Sequence, residues 1–470
     1  MSTRLHPQSS PGPTDLTQAW SESVRSHLPA LTIALDGDLM AGHLEETLLD
    51  ASKGDRVMRC QPGNVRYTPG AGCDLRYRID VRDHDGQVTT IPVTATVFAN
   101  ASAAETHLRT RLAPLARQAH GRSELAAFSR PVACLRQLGM TVSAFPVDAR
   151  LPTLLWATDP RRVAPLLESG GLSGDIRVTL ARYGTGRRCI LTYEAQRPSQ
   201  GRSVLVGKVD GDGGGKAARR AIHALRGHRG FDVPHLVGYD RALNLLVFDA
   251  IPAGPGYARK IKHHLRSGPD DGAARRAVEA CAQIAAELHC SGAKLAPFRT
   301  PDRQMRTLAA TLNAMAPLAP GLHSVLLQHL RHAGELLESS EAMPMRPCHG
   351  DYKHNQILVG TTKATLIDLD TACMAEPPLD LGHFLAYLRL TATDARSVAA
   401  AGDLVDELAM AFMDTYAVTA DSAPQLRSRT LGYELLSLIR RAAHSWQKLK
   451  AQRIVAALAL IEERLSCNLP

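Results

Sequence analysis

The chain has 470 residues, with 44% hydrophobic and 21% charged side chains, an ordinary balance for a globular protein that can bury two to four cores. No apolar run approaches the roughly 20 residues that span a bilayer. No basic start leads into an apolar stretch, and the nine cysteines include no Cys-x-x-Cys pair, so a membrane span, a secreted disulfide framework and a zinc site are not expected. The formal charge of +9 comes from dispersed arginines without an aromatic-interleaved basic motif. Nucleic acid is therefore not the expected partner, and a cytoplasmic location is the default.

The first 14 residues are rich in Ser and Pro, and residues 1–28 read as a disordered tail. An internal repeat follows. Arg66, Tyr67, Gly70, Cys73, Leu75 and Tyr77 recur as Arg182, Tyr183, Gly186, Cys189, Leu191 and Tyr193, all at an offset of 116. In both copies period-two apolar residues follow a Gly-containing turn, then come a second turn (83–86; 198–201), a β-rich run (91–98; 204–209) and a helical pattern (101–119; 216–226). A long unit present twice is a duplicated domain rather than a solenoid. Only the second copy carries a lysine in its third strand, Lys208. The matching position of the first copy is Thr96, which makes that copy a degenerate lobe.

Two glycine-rich segments lie in the second copy. The run 211–217 lacks the Gly and the Ser/Thr that a Walker-type loop requires and reads as a flexible turn. Gly184 and Gly186, between the first two strands, allow close backbone approach to a ligand, although a hairpin turn alone explains them. The apolar strand 245–249 then runs through Asp249, Ile251 and Pro252 into a Pro/Gly-rich break. Helical spacing appears over 273–289, 307–318, 322–337 and 404–416, and over a long C-terminal stretch, 431–465. The division read from these patterns is a tail (1–28), a degenerate small lobe (29–170), a complete small lobe (171–250) and a helical lobe (251–470).

The densest chemistry lies at His349-Gly350-Asp351-Tyr352-Lys353-His354-Asn355-Gln356, followed by Leu366-Ile367-Asp368-Leu369-Asp370. Ile357, Leu358 and Val359 and then Leu366 and Ile367 form two short strands around a turn. That hairpin brings Asp351 and Asp368 to one end. A carboxylate on a tight polar loop, a carboxamide and a second carboxylate past a strand suit phosphoryl transfer from a nucleotide. One acid takes up a hydroxyl proton, and the other groups offer hard oxygen to magnesium.

This segment resembles the catalytic core of the aminoglycoside/choline-kinase-like phosphotransferases, relatives of the protein kinases. Their signature is His-Gly-Asp, four residues, Asn, and a strand ending in Ile-Asp. Gln356 stands where the family has Asn, a variant similar to maltokinase-type members, and it keeps the amide oxygen. The resemblance implies an α+β, protein-kinase-like bilobal fold, here preceded by the degenerate lobe, with ATP and Mg2+ as cofactors. It implies Asp351 as base with His349 bracing its loop, and Gln356, Asp368 and, less directly, Asp370 at the metal. It also implies Lys208 on the α- and β-phosphates, Gly184 and Gly186 over the triphosphate, and Asp249 and Ile251 at the adenine hinge.

Asp380 would bond back to the His-Gly-Asp loop, and His289 would be a packed histidine. The helix after Lys208 should hold a pairing glutamate, but residues 216–226 contain no acid. The substrate expected is a small molecule with a hydroxyl, a sugar from Gln356 or an aminoglycoside if acids such as Glu335, Glu338, Glu341 and Glu376 converge. A scaffold protein with little catalytic activity is the alternative. Sequence gives no oligomeric state.

Overall fold

The computed structural model describes residues 12–184, 186–197, 201–211, 214–252, 256–268, 271–360, 363–395, 401–420 and 425–466. The first 11 residues of the expected tail, the turn positions 198–200, Asp212 and Gly213 of the glycine-rich run, Ala253 and Gly254 of the break, and Thr361 and Thr362 of the hairpin turn lie outside them.

The tail expected over 1–28 is instead helical from Pro13 to His27. Its Ser/Pro-rich start masks a helical spacing of Thr17, Trp20, Val24 and Leu28, all of which are buried.

Two antiparallel five-stranded sheets then share one strand order. The first consists of β1 (Arg56–Thr68), β2 (Gly72–Arg82), β3 (Val88–Val97), β4 (Val132–Leu135) and β5 (Met140–Ala144), with β4 at the edge beyond β5. The second repeats it with β6 (Ser173–Gly184), β7 (Arg188–Arg197), β8 (Gly201–Asp210), β9 (Leu236–Asp240) and β10 (Leu245–Asp249). Strand β2 buries Cys73, Leu75 and Tyr77 at period two, and β7 buries Cys189, Leu191 and Tyr193 in the same way. Asp74 pairs with Thr96 and Ile190 with Lys208, so the register makes Thr96 and Lys208 equivalent.

The duplication reaches further upstream than the sequence pattern suggests. The hydroxyls of Tyr77 and Tyr193 donate to the carbonyls of Ala34 and Ala157 at 2.6 and 2.8 Å. Those carbonyls close the short helices Leu31–Ala34 and Leu154–Ala157. Asp36 and Asp159 then cap the helices Gly37–Leu48 and Pro160–Ser169. Leu154, Ala157, Val163 and Leu167 share the core of the second sheet, so that unit begins ahead of residue 154, not at 171. Only the strands had a repeated pattern to read.

The first sheet packs on the helical lobe. Trp446 meets Tyr67 edge-on at 5.6 Å and Trp20 at 6.4 Å between ring centroids. Trp446→Ala should cost about 3–5 kcal/mol of unfolding free energy in a urea titration. A loss below about 1 kcal/mol would show that this junction does not hold the extra sheet.

The helical lobe contains Ala273–His289 and Pro320–Ser339 as expected, and Pro301–Asn313 where 307–318 was expected. The long C-terminal helix is two helices, Leu426–Gln447 and Ala451–Ser466. Leu449 takes φ +53° between them, and Lys450 N–H returns to the Ser445 carbonyl while Leu449 N–H returns to Trp446. This is a Schellman stop with leucine where glycine is usual, so no Gly or Pro marks it. The helix Pro378–Ala395 had no reading beyond its first turn. The result is a small β-rich lobe and a large helical lobe, α+β and bilobal like the protein kinases, preceded by an extra sheet. Among the described residues no helix is long and apolar enough to cross a membrane.

Candidate active site

The catalytic loop leaves the strand Arg346–Cys348, which pairs with Cys373–Ala375. Gly350 takes φ +76°, and a Cβ there would lie 2.3 Å from the Thr371 carbonyl, so only glycine fits. The fully buried Asp380 accepts the backbone N–H groups of His349 and Gly350 at 2.6 and 2.8 Å. Burial opposes the charge on Asp380, but bonds from His289 and His349 outweigh it and hold its carboxyl below the ordinary range. His289 is therefore a packed histidine, 3.2 Å from Asp380 and 2.8 Å from the Tyr416 hydroxyl. His349 donates from Nε2 to the Ile367 carbonyl at 2.9 Å and braces the loop against the second acidic segment.

Asp351 faces three donors: Lys353 Nζ at 2.7 Å, His383 Nε2 at 2.8 Å and Gln356 Nε2 at 3.2 Å. Burial pushes its carboxyl up, but the His383 hydrogen bond and the Lys353 charge prevail and hold it far below the carboxylate range. Burial also keeps His383 below the usual imidazole value, so it acts as a neutral donor and Lys353 balances the charge. A carboxylate this stable is a weak base.

The hairpin forms as expected, with Ile357–Val359 paired to Ala364–Leu366. Asp368 follows at φ +64°, a left-handed position that Asp tolerates better than most residues. The Gln356 amide lies 3.2 Å from both Asp351 and Asp368, so all three sit at one end of the ribbon.

Across the cleft, Lys208 Nζ lies 2.8 Å from Asp368 and 2.6 Å from Asp370. Arg188 reaches Asp368 at 2.8 Å, Asp210 at 2.8 Å and also Asp370. Burial works against ionisation at Asp368, but Lys208 and Arg188 hold it low, while burial and the Asp368 charge push Asp370 up. The two therefore titrate as a pair.

The two carboxylates Asp368 and Asp370 offer hard oxygen that suits magnesium, and two cations balance the acids. Gln356 turns its Nε2 towards Asp351 and Asp368 and would present Oε1 only with the amide reversed. Asp210, two residues along β8, lies 3.7 Å from Lys208 and accepts from Arg188 Nε at 2.8 Å. Its Oδ2 is buried without a hydrogen-bond partner.

The remaining expectations fare less evenly. Gly186 takes φ +62°, but its N–H already donates to Asp148 at 3.1 Å, and Arg150 packs where a Cβ would point. The linker from the first sheet thus ties this turn down, and Tyr183 also bonds Asp148. Gly184 pairs with Arg188 at the turn. The Asp249 carboxylate is engaged by Arg197 at 2.9 Å and His235 at 2.6 Å, and Ile251 follows at the link to the helical lobe. Glu376 is sealed in an ion pair with Arg429, and Glu335, Glu338 and Glu341 are exposed, so the four acids do not gather at the cleft. Sequence reasoning assigned no role to Asp210, Lys353 or His383. Lys353 alone had a signal, its place two residues after Asp351 in the polar loop.

Residues 215–416 match the model described as the phosphotransferase enzyme family. That stretch holds the catalytic loop, the hairpin and both acidic residues beyond it, and the family read from the sequence is the family matched. The match identifies this part of the chain with phosphotransferase enzymes.

Among solved structures, a choline/ethanolamine kinase family protein from Mesorhizobium loti aligns at 17% identity over 67% of this chain and 93% of its own, with a TM-score of 0.44. An aminoglycoside phosphotransferase in ternary complex with ADP and hygromycin B aligns at 12% over 65% and 98%, with a TM-score of 0.46. A glucosamine kinase aligns at 15% over 86% and 91%, with a TM-score of 0.42. No curated protein sequence matches the chain.

Proposed function

We propose that this protein is an ATP- and magnesium-dependent small-molecule kinase that moves the γ-phosphate to a substrate hydroxyl. One observation carries the reading. Asp351 is joined through Gln356 to Asp368, and Asp368 is joined to Lys208 of the small lobe, so base, metal ligands and phosphate-binding cation form one connected set. Magnesium, held by Gln356, Asp368 and Asp370, would supply charge neutralisation at the phosphates. Lys208 and Arg188 bind the phosphate chain from the small lobe. Asp351 orients the acceptor hydroxyl and takes its proton. Gln356, similar to maltokinase-type members, favours a sugar-like acceptor. Lys208 is held by Asp368 and Asp370 across the cleft without a helix glutamate, which supports the kinase reading over the scaffold alternative.

The test is ADP formation across neutral sugars, amino sugars, aminoglycosides, sugar acids and sugar phosphates, alongside thermal shift with ATP and magnesium. At least one acceptor should stimulate ADP release, and nucleotide with metal should stabilise more than either alone. Absence of both effects would leave the scaffold reading.

A further inference from the structure

A cluster of cations starts at the Tyr387 ring, which also meets Lys353, the partner of Asp351. On the helix Leu426–Gln447 and its C-terminal stop, Arg441, His444 and Lys448 fall at i, i+3 and i+7 and share one face. Arg441 lies 5.7 Å over the Tyr387 ring, and Lys353, already bonded to Asp351, lies 4.8 Å over the same ring. The His383 ring sits 4.7 Å from Tyr387.

Arg187, in the turn between β6 and β7, acts electrostatically on both His444 and Lys448. Burial, then Arg441, Lys450, Arg187 and Arg453, push the Lys448 ammonium down to about 8. Burial, then Lys448, Arg187, Arg441 and Arg66, push His444 down to about 3. Cations gathered this closely repel one another unless an anion joins them.

No acid among the described residues does so. Arg187, Arg441 and Lys448 make no ion pair among the described residues, and Arg441 Nε is buried without a hydrogen-bond partner. A positively charged acceptor would be repelled from this cluster. A guanidinium and an ammonium two turns apart on one helix face suit a phosphate or carboxylate.

We propose that the acceptor is a hydroxyl compound carrying an anionic group, phosphate or carboxylate, which Arg441 and Lys448 bind while its hydroxyl meets Asp351. This rests on the kinase reading above. In the transfer, the hydroxyl oxygen forms the new bond to the γ-phosphorus and the bond to the β,γ-bridging oxygen breaks. ADP leaves, and the hydroxyl proton passes to Asp351.

Two measurements on the full chain test it. First, ADP formation is compared for glucose, glucose 6-phosphate, glucuronate and glucosamine. The acidic compounds should exceed the neutral and cationic ones at least tenfold in kcat/KM. Arg441→Gln and Lys448→Gln should raise KM for the acidic acceptor about tenfold each, with Arg441→Lys recovering part. A tenfold change corresponds to about 1.4 kcal/mol. Neutral or cationic acceptors used equally well, with KM indifferent to Arg441→Gln, would overturn the proposal and leave the kinase reading intact. Second, inorganic phosphate without nucleotide should raise the melting temperature. That shift should be lost in Arg441→Gln and kept in Lys208→Met. The reverse pattern would assign the anion to the nucleotide site and overturn the proposal, even if no acceptor is turned over.

Discussion

Asp351→Asn should lower acceptor-dependent ADP formation by about 10²–10⁴-fold, the range that positioned proton acceptors contribute. The substitution keeps the shape of the side chain, and the amide oxygen can still accept from one of Lys353 and His383, which bond to separate oxygens of the carboxylate at 2.7 and 2.8 Å. The charge that aligns a hydroxyl for in-line attack and takes its proton is what disappears. The nucleotide-binding groups are elsewhere. Lys208 and Arg188 stand on the small lobe, and Asp368 reaches Asp351 only through the Gln356 amide. Thermal stabilisation by ATP with magnesium should therefore survive in Asp351→Asn, whereas Asp368→Asn should lose its metal-dependent part. Turnover of Asp351→Asn within tenfold of the parent, on any acceptor, would remove Asp351 from the base role.

How far the site could be read in advance follows from how locally it is encoded. Asp351, Gln356, Asp368 and Asp370 lie on one loop and one short hairpin, where period-two apolar residues and a turn are enough to bring the acids together. Lys208 was legible because the repeat provided a second copy to compare, and the sheet register bears out its equivalence to Thr96. Arg188 meets Asp368 across 180 residues, and His383 comes from a helix 32 residues after Asp351. Such contacts depend on how two lobes close on each other, which no local periodicity carries. Asp210 was passed over because the family pattern directs attention to the next helix rather than to the same strand. The fold was legible where amphipathic spacing was strong, as at Ala273–His289. It was not legible where buried residues surround an element on nearly every side, as in Pro378–Ala395. An apolar pattern without a polar face offers no period to read.

Arg429→Met should destabilise the protein by about 3–5 kcal/mol, the cost of leaving a buried charge without its partner. Arg429 and Glu376 are each only 4% exposed and joined by two parallel bonds of 2.7 and 2.6 Å. Arg429 also donates to the Leu337 carbonyl at 2.8 Å and the Ser340 carbonyl at 3.0 Å. Glu376 further accepts from the Tyr433 hydroxyl at 2.8 Å and from Met343 N–H at 3.1 Å. The network therefore ties two long helices to the segment entering the catalytic loop. With methionine at 429, the Glu376 carboxylate keeps only two neutral donors in a site closed to water. The double variant Arg429→Met with Glu376→Leu should recover much of the loss, since replacing both ends of a buried pair by apolar groups is often near neutral. Urea unfolding of the two variants separates a penalty for the stranded charge from simple loss of packing. Equal destabilisation in both would assign the effect to packing. Recovery in the double variant would show that Glu376 serves the fold.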